Sequence, residues 1–142
     1  MKKYTVLMLS LLICMGAFSQ NFAVIDDSYQ NVPQAKARYY AQQTFMVKDN
    51  QVKAASQIVS AINGKSISKL HLFVSTQPGS IVFSNMTINA ANLKEHALTI
   101  LQMASNVSES IVIHSSNVFT TELGIDFKNK LEQLTGLQCT VQ

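Results

Sequence analysis

Two stretches of this chain are apolar almost without interruption: Lys69 to Ser75 (Lys-Leu-His-Leu-Phe-Val-Ser) and Ser110 to His114 (Ser-Ile-Val-Ile-His). A strand with one face in water alternates apolar and polar residues. A strand buried on both faces has no need to. Runs of this kind belong to a sheet with layers on both sides, and every other segment has to fit around them.

The flanking segments supply those layers. Phe22-Ala23-Val24-Ile25 is a short apolar run closed by Asp26-Asp27-Ser28, and Thr44 to Lys48 is a second strand candidate. Between them, Val32-Pro33 opens an Ala- and Gln-rich stretch, Gln34 to Gln43, with proline where a first helical turn tolerates it. Val52, Ala55, Ile58, Val59 and Ile62 recur at helical spacing, with Asp49 or Asn50 as cap and Gly64 as stop. Gln77-Pro78-Gly79-Ser80 is a turn, and Ser80–Phe83 with Met86–Ile88 form a short hairpin around Ser84-Asn85. Asn89 is positioned to cap a helix bearing Leu93, Ala97, Ile100, Leu101 and Ala104. Thr120 or Thr121 caps another, facing inward with Leu123, Phe127, Leu131 and Leu134, and Gly136 ends it before a final strand, Leu137–Val141. This alternation predicts an α/β fold: a three-layer α/β/α sandwich with a mainly parallel sheet, helices on both faces and a short β-hairpin. Ligands of such sheets bind at the C-terminal ends of strands, near a reversal of strand order. Two segments have that address: Ser75-Thr76 and Ser115-Ser116-Asn117.

The N-terminus carries an export signal. Lys2 and Lys3 precede an apolar run from Thr5 to Phe18, and Ala17-Phe18-Ser19 places small residues where a signal peptidase cuts. Residues 1–19 are thus expected to be a secretory signal and residues 20–142 a single domain, periplasmic or extracellular. The apolar run is shorter than the ~20 residues that span a bilayer, and Leu11-Leu12-Ile13 before Cys14 lacks the small residue of a lipoprotein site. No integral membrane segment is expected after cleavage. Without Lys2 and Lys3, basic residues fall from 11 to 9 against 8 acidic ones. That near-neutral balance, without any run of like charge, argues against nucleic acid as a partner. Cys139 then stands alone, a core thiol with no disulfide to form.

The two polar segments also carry a resemblance. The chain is similar to a bacterial family of unknown function with a caspase-like fold, found near the N-terminus of large secreted or surface repeat proteins and adhesins. In that family a strand ends in Ser-His-Gly, then one residue, then Pro-Gly. The chain keeps Pro78-Gly79 but has Ser75 at the histidine and Thr76 at the glycine. A later strand of the family ends in Gly-Cys-Asn, with a glycine seven residues on. Here Asn117 and Gly124 match, while Ser115 replaces the glycine and Ser116 the cysteine. Leu134-Thr135-Gly136 and an opening strand ending in Ile25-Asp26 are further points of likeness.

The resemblance implies a degenerate site. A thiolate attacks a carbonyl while a histidine manages the protons; serine at Ser75 supplies no base, and serine at Ser116 is a weak nucleophile without one. The expected function is therefore an exported non-catalytic module, binding or structural, with Ser75, Thr76, Ser115, Ser116 and Asn117 as candidate binding residues and an unidentified protein or peptide as partner. One alternative is a serine hydrolase using Ser116 with His114, two residues apart on one strand face. Another is an accessory partner of a larger cell-surface protein. No cofactor is expected: the three histidines lack metal-site spacing, and no glycine-rich phosphate loop occurs.

Overall fold

The computed structural model describes residues 19–29 and 34–142. In chain order the elements are β1 (Gln20–Asp26), α1 (Gln34–Tyr40), β2 (Gln43–Val47), α2 (Ala54–Ile62), β3 (Ile67–Phe73), β4 (Ser75–Gln77), β5 (Ser80–Phe83), β6 (Met86–Asn89), a 3-10 turn (Leu93–His96), α3 (Ala97–Ala104), β7 (Val107–Ile113), α4 (Glu122–Thr135) and β8 (Gln138–Val141). The expected signal segment lies outside the described residues except for Ser19.

Five strands form one sheet in the order β2-β1-β3-β7-β8, and every neighbouring pair is parallel. That order dictates where the helices go. Parallel crossovers are right-handed, so the step from β1 outward to β2 puts α1 on one face. The chain then reverses, and the steps β2 to β3, β3 to β7 and β7 to β8 all run the other way. Their helices, α2, α3 and α4, therefore share the opposite face.

Burial follows this rule. Val24, Leu70, Leu72, Ile111 and Ile113 point into a large core with Ile58 and Ile62 of α2, Ile100 of α3 and Phe127 and Leu131 of α4. Each such side chain contributes about 1.5–3 kcal/mol on leaving water. The alternate residues Ala23, Ile25 and Phe73 form a much smaller core with Ala37 and Ala41 around α1. The sandwich is three-layered, but unevenly so: among the described residues α1 alone covers the second face, over β1, β2 and β3.

Strands β4, β5 and β6 make a small antiparallel sheet, whose Ile81, Phe83, Met86 and Ile88 extend the large core. The expected turn and hairpin both occur, with Gly79 at φ 76° in the Pro78-Gly79 turn. The expectation missed β4, because a three-residue strand is too short to show a period.

Some local expectations need correction. Helix α2 begins at Ala54 and is not capped by Asp49 or Asn50. Asn85, in the β5–β6 turn, accepts from Ala54 N–H at 2.9 Å and caps the helix from a distant part of the chain. Asn50 instead accepts from Val52 N–H, in a local turn that leaves Val52 exposed. Asn89 accepts from the N–H groups of Ala91 and Asn92 ahead of the 3-10 turn rather than capping α3. Leu101 and Leu123 face solvent, Leu123 at 68 % exposure, and Met103 and Gly124 take the inward places. Thr121 does cap α4, accepting from Gly124 N–H, and Gly136 ends it at φ 70°.

Candidate functional site

The C-terminal ends of β3 and β7 lie side by side, as the sequence predicts for Ser75-Thr76 and Ser115-Ser116-Asn117. Neither segment simply prolongs its strand. Strand β3 stops at Phe73, and Ser75 and Thr76 pair with Val82 and Ile81 as the first residues of β4. Strand β7 stops at Ile113, whose carbonyl accepts from Ser115 N–H at 3.0 Å, so the chain turns sharply at His114.

Three of the five predicted residues come together. The Thr76 hydroxyl is hydrogen-bonded to the Ser115 hydroxyl and lies 2.7 Å from Asn117 Oδ1, which also accepts from Ser115 Oγ at 3.1 Å. Ser115 Oγ in turn accepts from Asn117 N–H. Ser75 is half-buried and Ser116 exposed; among the described residues neither hydroxyl has a hydrogen-bond partner.

The surrounding backbone is packed too closely for side chains at two glycines. Gly79 N–H donates to Val118 O at 2.9 Å, and a Cβ on Gly79 would lie 3.0 Å from the Leu123 backbone. A Cβ on Gly124 would lie 2.4 Å from Val118 O. Glycine at both positions lets the β4–β5 turn, the loop after β7 and the start of α4 meet.

The reversal of strand order falls between β1 and β3, where ligands of open α/β sheets bind. The polar group there is Asp26, the last residue of β1, 1 % exposed. Its carboxylate accepts from Ser84 N–H at 3.0 and 3.1 Å, from Ser84 Oγ at 3.1 Å, and from the N–H and hydroxyl of Ser28. The turn of the β5–β6 hairpin thus fills this end of the crevice, and the carboxylate is committed to holding it.

His71 and His114 occupy a different place. His71 Nδ1 and His114 Nε2 are 3.0 Å apart on the second face, one N–H donating to the other ring's lone pair. Both residues are buried; His114 stacks on Phe73 with ring centroids 3.9 Å apart, and Tyr40 of α1 lies against both. Burial lowers both pKa values. His114 falls to about 4, helped by His71 and Lys36, and Lys69 adds to the effect at His71. Both rings are neutral at pH 7. His114 is bonded to His71 and, among the described residues, not to Ser116. The buried Cys139 thiol is pushed up to about 12 by desolvation and by Glu132, and stays protonated.

A family profile for a domain of unknown function (DUF4347) matches residues 22–142. The chain belongs to the DUF4347 family. No curated protein and no solved structure shows significant similarity to this DUF4347 domain.

The histidine pair is the feature that sequence reasoning missed in this domain. Alternation along each strand places His71 with Phe73 and His114 with Val112, away from the large core. Pairing one with the other requires the β3–β7 register, in which His71 lies opposite Val112. No local signal carries that offset.

Proposed function

We propose that this DUF4347 domain is an exported, non-catalytic module of caspase-like architecture, whose strand-end positions Ser75 and Ser116 stand where its relatives carry histidine and cysteine. The observation that carries this reading is the closure of the polar edge. Thr76, Ser115 and Asn117 satisfy one another, and the nearest histidine along the chain, His114, is hydrogen-bonded to His71. A serine without a base beside it does not become a nucleophile. The export half rests on Lys2, Lys3 and the apolar run that follows them.

The role left to such a domain is recognition or scaffolding. Ser75 and Ser116 mark the former chemical positions, and Gly79 and Gly124 preserve the backbone that presented them. The test is activity-based labelling. Purified, folded protein treated with a fluorophosphonate probe is expected to remain unlabelled. Labelling that Ser116→Ala abolishes would establish the serine hydrolase using Ser116 and His114 instead.

A further inference from the structure

The second face of the sheet holds a cavity of about 690 Å³, within the size range of small-molecule sites. It lies beside Tyr39 and Tyr40 of α1, over the part of β3, β7 and β8 that no described helix covers. Its existence follows from the strand order, since right-handed crossovers send α2, α3 and α4 to the other face.

Most side chains at this cavity are polar, unlike those of sites for apolar ligands. Ser110, Gln138, Thr140 and Gln142 offer hydroxyls and amides that both donate and accept. The charges there cancel: Lys69 Nζ lies 3.9 Å from Glu109 Oε2. Tyr39 is 84 % exposed and presents a ring beside these polar groups. His71 also lines the cavity. It is 4 % exposed, its Nδ1 is committed to His114, and its Nε2 is buried without a hydrogen-bond partner. A buried polar atom left unpaired costs about 1–3 kcal/mol; Nε2 is closed to solvent, so a ligand recovers that cost only where the side chains above it move aside.

We propose that this cavity is a binding site for a neutral saccharide. A sugar ring carries hydroxyls that donate and accept, matching the amides and hydroxyls of β7 and β8. It has no charge to satisfy, and its C–H face packs on an aromatic ring such as Tyr39. A hydroxyl at the cavity floor partners His71 Nε2, in either tautomer, once the side chains that close this atom from solvent move aside. A metal ion fits less well, because no three His, Cys, Asp or Glu side chains cluster among the described residues. The site lies on a different surface from Ser75 and Ser116 and does not depend on whether Ser116 reacts.

The experiment is an amide-resolved NMR titration of the purified protein with methyl glucoside, methyl galactoside and N-acetylglucosamine, with N-acetylneuraminic acid as the charged comparison. At least one neutral sugar is expected to shift the amides of Lys69–His71, Ser110–Val112 and Gln138–Gln142 at millimolar concentration. Tyr39→Ala and Thr140→Val, both at exposed positions, are each expected to weaken binding by roughly tenfold, about 1.4 kcal/mol, with the rest of the spectrum unchanged. Ser116→Ala is expected to leave the titration as in the parent protein. The proposal is overturned if no neutral sugar shifts these amides, if only the acidic sugar does, if both face variants bind like the parent, or if Ser116→Ala abolishes the shifts.

Discussion

The edge of the sheet and its second face hold similar polar side chains and use them in opposite ways. At the edge, Thr76, Ser115 and Asn117 bond one another, and Asp26 is occupied by Ser28 and Ser84. On the face, Tyr39 and Thr140 stand exposed and His71 keeps one ring nitrogen unpaired. At the address where an open α/β sheet is expected to bind a ligand, Thr76, Ser115, Asn117 and Asp26 are therefore already paired, and the Ser75 and Ser116 hydroxyls are the ones without a partner among the described residues. The lesson is that polarity alone does not mark a site: a group already paired within the chain stabilises the fold, an exposed one is paired by water, and a buried unpaired one has free energy left for a partner.

The largest expected effect lies at the edge. Asp26→Ala removes the acceptor for the Ser84 and Ser28 donors and leaves the β5–β6 turn without its tie to β1. We expect a loss of about 4 kcal/mol in urea unfolding, since hydrogen bonds to a charged group are worth about 1.5–3 kcal/mol each and several are lost together. A loss below about 1 kcal/mol would mean that water replaces those bonds and that the edge is open after all.

The next effect belongs to the face. His71 and His114 have folded-state pKa values below the unfolded value near 6.5, that of His114 at about 4. Between those limits the unfolded chain binds more protons than the native one, so stability rises with pH. The contribution is complete above pH 6.5 and is lost as pH falls toward 4, by about 3 kcal/mol for His114. Stability measured across this range in the parent and in His114→Phe separates it from carboxylate titration: the variant is expected to lose His114's share of the acid-side slope and to keep that of His71. An unchanged slope would mean that the pair is solvated, and the contrast between edge and face would weaken.

How much of this was legible depends on the range of the interaction. The strands were visible because both apolar runs record burial on two faces. The stops at Gly64 and Gly136, a cap at Thr120 or Thr121 and the hairpin at Ser84-Asn85 were visible because each is decided within a few residues. The capping of α2 by Asn85 was not, because the residues are 31 apart in sequence. Leu123 was assigned inward on its spacing with Phe127 and Leu131. Gly124 takes the inward place because the backbone of Val118 and Phe119 passes too close for any side chain. That Thr76, Ser115 and Asn117 would be neighbours was legible, since the ends of adjacent parallel strands share one edge. The state of that edge was not legible, because self-pairing depends on the turn at His114 and on β4, and the histidine pair depends on strand register.

The smallest effect sharpens the comparison most, because the same substitution can be made in both regions. Thr76→Val at the edge removes a hydroxyl that bonds both Ser115 and Asn117. Those two still bond each other at 3.1 Å, so nothing is left wholly unpaired, and the expected loss is about 1 kcal/mol. The loop that follows β7 should also open more often, seen as faster amide exchange at Asn117 and at Gly79, whose N–H reaches that loop. Thr140→Val on the face removes an exposed hydroxyl that has no partner among the described residues. It is expected to leave stability within about 0.5 kcal/mol and to change sugar binding alone. If Thr140→Val destabilises as much as Thr76→Val, both hydroxyls serve the fold and the face is no freer than the edge. If Thr76→Val has no cost and leaves exchange unchanged, the edge is the surface that is available to a partner, and the assignment of the two regions is reversed.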